Sequence, residues 1–309
     1  MKKSEISIEL VGGLGNQLFG FYAGLSIAEV RNSECTFDLS ILNHGITNHG
    51  VSIESFNLPG KFEFVNRQPN ARLTFRRRLN SYLYRRVIAK SFLLRTKVKT
   101  YSSTEVGFDP FVLLPSLRAE TFRGYFQSWK YFESLPKEIK AMPPTLKNPS
   151  EWFITLEASA SESMPIMMHV RRGDYAKLNE VFGMLDAKYY LAALDIAVTA
   201  FPGRRIWVIS DDIDSARNSL LSGISKYSEH ISWITPPRDS DPAESLLLLS
   251  KGSATIAANS TFSWWGAFLG GPERLVVFPS PAYSGMVEPQ DFVPTHWTRV
   301  KSSWIDVKQ

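Results

Sequence analysis

The chain of 309 residues is 44% hydrophobic and 21% charged, which is the composition of a globular protein of about two domains and excludes a disordered or fibrous chain. Its net charge of +5 is unevenly spread, because residues 66–100 carry eleven basic residues and no acidic one, which leaves −6 for the rest of the chain. The single cysteine excludes an intrachain disulfide and a cysteine zinc cluster, and the five histidines show no metal-ligand spacing.

The first half of the chain begins with a β-loop-α-β pattern. Residues 5–11 predict a strand because apolar and polar residues alternate there, and the turn GGLGNQ follows. An apolar, alanine-rich stretch at 18–30 predicts a buried helix, and residues 36–39 predict a second strand. Leucines at helical spacing between arginines predict helices over 70–96, and prolines clustered in 136–149 indicate a domain boundary.

The second half alternates strands with helices at regular spacing, which is typical of parallel βα units in a doubly wound sheet. Strands are predicted at 166–170, 205–210, 231–234, 254–258 and 275–278, and helices at 188–200, 213–221, 243–250 and 263–269. Ligands of such sheets bind at the carboxyl ends of strands, near a reversal of strand order. Each polar motif described next falls at such an end.

The first motif is the turn that contains Gly13, Gly15, Asn16 and Gln17. Glycines let backbone N–H groups approach an anion, the start of a helix adds a favourable partial charge, and the two amide side chains add donors. A tight turn in which the glycines serve only packing is the alternative. The spacing is not G-x-G-x-x-G, so an NAD site is not expected.

The second motif ends a predicted strand with His169, Arg171, Arg172 and Asp174. Two arginines at the end of a buried strand are costly unless they are paired with an anion. Asp174 is one possible partner. An arginine fork on a diphosphate is the other.

Two further motifs follow strands in the second half. Ser260 and Thr261, after Asn259, are either helix caps or part of a phosphate seat. Asp211 and Asp212, which follow Ser210, either hydrogen-bond a ribose or base, or cap the next helix. Anion-binding motifs in both halves predict one pyrophosphate held in an interdomain cleft, where arginines and helix starts neutralise the leaving diphosphate without Mg²⁺.

Four segments, GGLGNQLF, HVRRGDY, ISDD and ANSTFSWWGAFLG, make the chain resemble the α-1,2-fucosyltransferases of glycosyltransferase family 11 over about residues 8–282. GYFQSWKYF is similar to the middle segment of that family. The resemblance implies an α/β, GT-B-like fold with two Rossmann-like domains facing across a cleft. It also implies a GDP-β-L-fucose donor, inversion to an α-linkage and no metal or other cofactor. The expected acceptor is the 2-hydroxyl of a galactoside in a glycan, such as a bacterial surface polysaccharide or O-antigen.

The same resemblance assigns roles to individual residues. The predicted donor-binding residues are Gly13, Gly15, Asn16, Gln17, Arg171, Arg172, Ser210, Asp211, Glu244, Asn259, Ser260, Thr261 and Phe262. The catalytic candidates are Arg171, Asp174 and His169, with Glu244 also considered as a base, although we expect no dedicated base. The family usually carries an aspartate where this chain has Ser245, and Glu244 is adjacent.

The predicted domains are an acceptor-side domain over 1–145 with a basic helical insert at 66–100, a GDP-sugar-binding domain over 150–282, and a tail over 283–309 that packs on the first domain. Without an apolar stretch long enough for a signal peptide or a membrane span, we expect a cytoplasmic protein. The basic insert is expected to contact an anionic membrane surface, at the inner face of the bacterial inner membrane, where acceptors are linked to lipids.

Two other functions remain open at this point. One is a transferase of the same fold with a different nucleotide sugar or linkage, since fold alone does not set the substrate. The other is a non-enzymatic binder of anionic surfaces or nucleic acids through residues 66–100. That segment contains no recognisable nucleic-acid module, so no nucleic-acid partner is expected.

Overall fold

The computed structural model describes residues 4–43, 50–67, 98–173 and 179–305. Most of the basic segment predicted to be helical therefore lies outside the described residues, and so does Asp174. The chain divides into two compact units. The first comprises Met1–Pro144 with Pro289–Val293, and the second comprises Thr145–Glu288 with Pro294–Gln309.

The first unit contains a five-stranded, fully parallel sheet in the order β4-β2-β1-β6-β5. Its strands are β1 (Glu5–Glu9), β2 (Glu34–Asp38), β4 (Phe62–Val65), β5 (Thr100–Ser102) and β6 (Thr121–Arg123), and a short strand β3 (Phe56–Asn57) lies outside this sheet. Strand β1 lies in the centre, in register with β2 so that Glu9 faces Asp38.

One long helix, α1 (Leu14–Arg31), packs against this sheet and is buried over most of its surface, as expected of a helix that is apolar on all sides. The Phe21 ring lies 4.8 Å from Phe37 of β2, between ring centroids. The helix predicted from residue 18 begins four residues earlier, at Leu14, because Gly13 of the glycine-rich turn is its N-cap. The shorter helices are α2 (Ser40–Asn43), α3 (Lys130–Glu133) and α4 (Lys137–Lys140), with 3-10 turns at Ile53–Ser55 and Pro110–Leu113.

The second unit contains a six-stranded parallel sheet in the order β10-β9-β8-β11-β12-β13. Its strands are β8 (Ile166–Val170), β9 (Ile206–Ser210), β10 (Ile231–Ile234), β11 (Ala254–Ile256), β12 (Leu275–Ser280) and β13 (Thr298–Lys301), and β7 (Thr145–Leu146) precedes them. Its helices are α5 (Glu151–Ser163), α6 (Asn179–Phe182), α7 (Ala187–Ala200), α8 (Ile213–Leu220), α9 (Pro242–Leu249) and α10 (Thr261–Phe268), with a 3-10 turn at Ser225–His230.

The predicted alternation of this half agrees with the structure to within one or two residues at most ends. Strand β8 is buried along its whole length, as parallel strands covered on both faces are. Helix α5 was not predicted, because it directly follows the proline cluster. The prediction that the tail over 283–309 packs on the first domain is correct only for Pro289–Val293, which belongs to the first unit. Strand β13 of the tail instead pairs with β12 in the second sheet. Among the described residues, no helix combines the length and the hydropathy needed to cross a bilayer.

Candidate active site

The order of the strands locates a crevice in the second sheet. From β8 the chain proceeds to β9 and β10 on one side, whereas β11, β12 and β13 lie on the other side. Strand order therefore reverses between β8 and β11, which is where ligands of open α/β sheets bind. His169 of β8 and Phe262 of α10 meet across this point, with 5.2 Å between their ring centroids.

Arg172 follows β8 and is only 3% exposed. Its Nε donates to Ser219 Oγ at 3.1 Å, and its Nη1 donates to the Arg171 carbonyl at 3.0 Å. Its buried Nη2 makes no hydrogen bond of good geometry within the part of the chain that the structure describes, although the buried Tyr190 hydroxyl interacts with this guanidinium. A buried guanidinium with an unused donor is costly, and an anion would remove that cost.

Asp211 is the carboxylate that the structure places beside the two arginines. Its Oδ2 lies 3.2 Å from Arg171 Nη1, and its Oδ1 accepts a hydrogen bond from the Arg172 backbone N–H at 2.8 Å. Gly173 lies so close that a Cβ there would collide with Asp211 Oδ2. The sequence left Asp174 open as one possible partner of the arginines, and that residue lies outside the described residues. The pairing of β8 with β9 sets Ser210 opposite Val170 and brings Asp211 to the arginines.

The other acid of this motif, Asp212, caps a helix. It is the N-cap of α8 and accepts a hydrogen bond from the Ser215 backbone N–H at 3.0 Å. Ser210 Oγ accepts from the Asp212 backbone N–H and donates to the Asp212 carbonyl, each at 3.1 Å. The capping alternative therefore holds for Asp212, whereas Asp211 pairs with the arginines, a contact that the sequence did not predict. A contact to a ribose or base stays a prediction.

His169 is buried, with 1% of its surface exposed. Burial, with a smaller contribution from the Arg171 charge, lowers the pKa of His169 to about 3. Its Nδ1 has no hydrogen-bond partner among the described residues. The imidazole is therefore neutral near pH 7, so it offers a hydrogen-bonding group to a ligand but is a weak proton acceptor.

The segment after β11 is used mainly to build the start of α10. Ser260 caps the helix by accepting from the Ser263 backbone N–H at 3.1 Å. Asn259 is buried and donates from Nδ2 to the carbonyls of Phe182 and Gly183, at 2.9 and 3.0 Å. The half-buried Thr261 and Phe262 are the members of this segment that are better placed to meet a ligand.

Glu244 has a structural role in this unit. It is 3% exposed, and its two oxygens accept from the Ser150 backbone N–H at 2.6 Å and from Ser150 Oγ at 2.9 Å. Ser150 is in turn the N-cap of α5, where a carboxylate is favourable. These contacts account for the burial of Glu244 without a ligand, so recognition of guanine by this residue stays a prediction.

The glycine-rich turn of the first unit joins β1 to α1. Gly12 has a φ of +72°, a conformation that favours glycine, and Gly13 caps the helix without a side chain. The first turn of α1 contains no acidic residue, so its backbone N–H groups present partial positive charge. Gly15 is buried in that turn, and the half-buried Asn16 accepts at Oδ1 from Gln127 Nε2 at 2.9 Å.

Gln17 differs from its neighbours because its amide is fully occupied. Nε2 donates to the carbonyls of Gly12 and Gly50, both at 2.9 Å, and Oε1 accepts from the backbone N–H groups of Ser52 and Ile53 at 3.1 and 3.0 Å. These four bonds use the amide's two donors and both acceptor positions. Gln17 therefore braces a loop against the turn, and we do not include it in the donor site proposed below.

Among the residues that the structure describes, no group of three or more His, Cys, Asp or Glu side chains could hold a metal ion. Independence of metals stays a prediction that requires an assay.

Two doubly wound parallel units, with an arginine pair at the strand reversal of the second, form a GT-B-like fold. The chain belongs to glycosyl transferase family 11, whose sequence model matches residues 5–301. The family predicted from the motifs is thereby confirmed.

Three known proteins illustrate the relationship. An α-1,2-colitosyltransferase of Escherichia coli is 23% identical over 312 residues, covering 96% of this chain and 99% of that protein. A galactoside 2-alpha-L-fucosyltransferase of Caenorhabditis elegans is 25% identical over 192 residues, covering 58% of this chain and 52% of that protein. The crystal structure of fucosyltransferase NodZ from Bradyrhizobium matches with a TM-score of 0.51 and 13% identity, covering 87% of this chain and 94% of that chain, and supports the fold.

Proposed function

We propose that this glycosyltransferase moves L-fucose from GDP-β-L-fucose to the 2-hydroxyl of a galactoside, with inversion at the anomeric carbon. The observation that carries the proposal is the pair formed by the partly exposed Arg171 and the buried Arg172, at the strand reversal of the second sheet. Asp211 offsets one of the two guanidinium charges, and the diphosphate of a GDP-sugar would offset the remaining positive charge. The acceptor is expected to belong to a bacterial surface polysaccharide or O-antigen.

In this proposal the donor contacts are divided by chemistry. Arg171 and Arg172 bind the diphosphate. Asp211 holds the backbone that follows β8 in place by accepting from the Arg172 backbone N–H. Thr261 and Phe262 contact the donor near the start of α10. Asn16 and the backbone of the glycine-rich turn contribute donors in the first unit.

The reaction needs charge stabilisation more than proton transfer. The acceptor oxygen forms a bond to the fucose anomeric carbon while the bond from that carbon to the diphosphate oxygen breaks, and the electron pair leaves with GDP. Arginines placed at the oxygens that gain charge lower the barrier by about 3 kcal/mol each in comparable sites. The acceptor proton passes to the departing phosphate or to water, since His169 is too weak a base to hold it near pH 7.

A second donor is favoured by one specific observation, the full-length similarity to a colitosyltransferase. Colitose is fucose without its 3-hydroxyl, so the two GDP-sugars present the same diphosphate and differ at one polar group. A site that hydrogen-bonds this hydroxyl would discriminate strongly against the deoxy sugar, because its polar partners would be left unpaired.

The test is an assay of the purified chain with GDP-fucose and, separately, GDP-colitose, against a panel of terminal galactosides. Product linkage is read by nuclear magnetic resonance, and each reaction is repeated with EDTA. We expect fucosyl transfer in α-1,2 linkage, with turnover in EDTA within about twofold of that with Mg²⁺. Transfer of colitose alone, another linkage, or an EDTA loss restored by Mg²⁺ would contradict the corresponding part of the proposal.

We further propose that residues 66–100 hold the enzyme reversibly at an anionic membrane, close to lipid-linked acceptors. The support is the charge of this segment in the sequence, eleven basic residues without an acid. Each basic residue close to such a surface contributes about 1 kcal/mol.

A further inference from the structure

The first sheet has a strand reversal of its own. The chain leaves β1 for β2 and β4 on one side, whereas β6 and β5 lie on the other side. The glycine-rich turn follows β1, and residues 124–127 follow β6, so these two segments border the crevice between β1 and β6. The hydrogen bond from Gln127 Nε2 to Asn16 Oδ1, 2.9 Å long, joins them across it.

Gln127 is firmly held. Its side chain is buried, with 7% of the residue exposed, and its backbone N–H donates to the Val106 carbonyl at 2.7 Å. The preceding Phe126 has a φ of +52°, which is uncommon for a residue with a side chain, and its buried ring packs edge-on against Tyr131 at 5.8 Å. Packing fixes this strained backbone, so the Gln127 amide is held in one position, next to Asn16.

Asn16 is constrained from two sides. A Cβ on Gly12 would lie 2.6 Å from Asn16 Nδ2, so the asparagine side chain folds closely over a glycine. Its Oδ1 is engaged by Gln127, and its Nδ2 has no acceptor among the described residues. The described part of the chain thus leaves this NH₂ group unused, in a helix turn without acidic residues.

We propose that Gln127 is a positioning residue that fixes the amide orientation of Asn16, so that the Asn16 NH₂ group faces the anionic part of the donor. This inference rests on the proposed function, in which Asn16 contacts the GDP-sugar. Orientation matters because a flipped amide presents an oxygen, which repels a phosphate, in place of two N–H donors.

The test is a double-mutant cycle on GDP affinity, measured by isothermal titration calorimetry with Asn16→Ala, Gln127→Met and the double variant. A lost hydrogen bond to a charged phosphate predicts an affinity about tenfold lower for Asn16→Ala. Gln127→Met should weaken GDP about three- to tenfold in the wild-type background, and less than about twofold in the Asn16→Ala background. A residue that only supports the fold would have equal effects in both backgrounds.

Gln127→Glu is the second variant, and it serves if Gln127→Met fails to fold. Its carboxylate only accepts hydrogen bonds, so it should draw the Asn16 NH₂ group toward itself and weaken GDP at least as much as Gln127→Met. The inference is overturned if the Gln127 changes alter GDP affinity equally in the wild-type and Asn16→Ala backgrounds, or alter it in neither. In both cases GDP binding by the wild-type protein would leave the proposed function standing. Wild-type protein that binds no GDP would instead refute the proposed function.

Discussion

At the scale of single residues, charge and burial decide what each candidate can do. His169 Nδ1 is buried without a partner among the described residues, and the buried Arg172 Nη2 has only the Tyr190 hydroxyl nearby, whereas the Gln17 amide is fully bonded. Polar groups of the same motifs therefore separate into those already used by the fold and those with capacity left for a ligand.

Arg171→Ala is expected to reduce kcat/KM for fucosyl transfer by about a hundredfold or more, because a charge-assisted contact to the leaving diphosphate is worth about 3 kcal/mol. Initial rates over a range of GDP-fucose concentrations provide the measurement. Arg204→Ala is the matched control, since Arg204 is exposed and precedes β9, at the opposite end of the sheet. Near wild-type rates for folded Arg171→Ala would remove this residue from the donor site.

His169 should make the protein less stable in acid. The pKa of His169 is about 3 in the folded protein and about 6.5 in an unfolded chain, so between these values only the unfolded state binds the proton. Stability then falls as pH falls below 6.5, by about 2 kcal/mol at pH 5. Urea unfolding at pH 7.5 and pH 5 should show His169→Phe losing about 2 kcal/mol less than wild type on acidification. Equal losses in both proteins would contradict the lowered pKa.

At the scale of elements, helix starts account for many of the hydroxyls and acids that the motifs contain. Ser260 starts α10, Asp212 starts α8, and Asp186 starts α7 by accepting from the Lys188 and Tyr189 backbone N–H groups. Capping is a local interaction with a local sequence signature. It explains why several residues with a functional appearance are occupied by the fold.

Glu244→Ala tests whether Glu244 of α9 serves the fold, by supporting the N-cap Ser150 of α5, or binds the donor. The change leaves the Ser150 backbone N–H and Oγ without their buried acceptor, so we expect the free energy of unfolding to fall by about 1–3 kcal/mol while GDP affinity stays within about twofold. Urea unfolding and calorimetric GDP titration measure the two quantities. Glu133→Ala, at an exposed position of α3, controls for loss of a carboxylate. Weaker GDP binding with unchanged stability would favour guanine recognition by Glu244.

At the scale of the whole molecule, two parallel sheets each carry polar residues at a strand reversal. In the second sheet these are the arginine pair and the Asn259–Phe262 segment, and in the first they are Asn16 and Gln127. The two sets belong to separate units, and each is placed by the strand order of its own sheet.

Membrane contact belongs to this scale because it depends on summed charge. Co-sedimentation with liposomes should require anionic lipid and fade by about 0.5 M salt, where the Debye length is a few ångströms. Changing Arg76, Arg77, Arg78, Arg85 and Arg86 to Gln should abolish sedimentation but leave transfer to a soluble galactoside unchanged. Neutral liposomes serve as the control. Unaltered sedimentation of this variant would exclude the segment as the membrane contact.

The sequence by itself determined the βα alternation of the second unit, the glycine-rich turn, the arginine motif and the family. Hydrophobic periodicity and turn chemistry act over a few residues, so they can be read along the chain. Only the tertiary structure decided which side chains meet. Asp211 binds the Arg172 backbone across 39 positions, Glu244 binds Ser150 across 94, and Gln127 binds Asn16 across 111. Such pairs depend on which strands and helices become neighbours, and that order is set by packing of the whole core, which no local pattern contains.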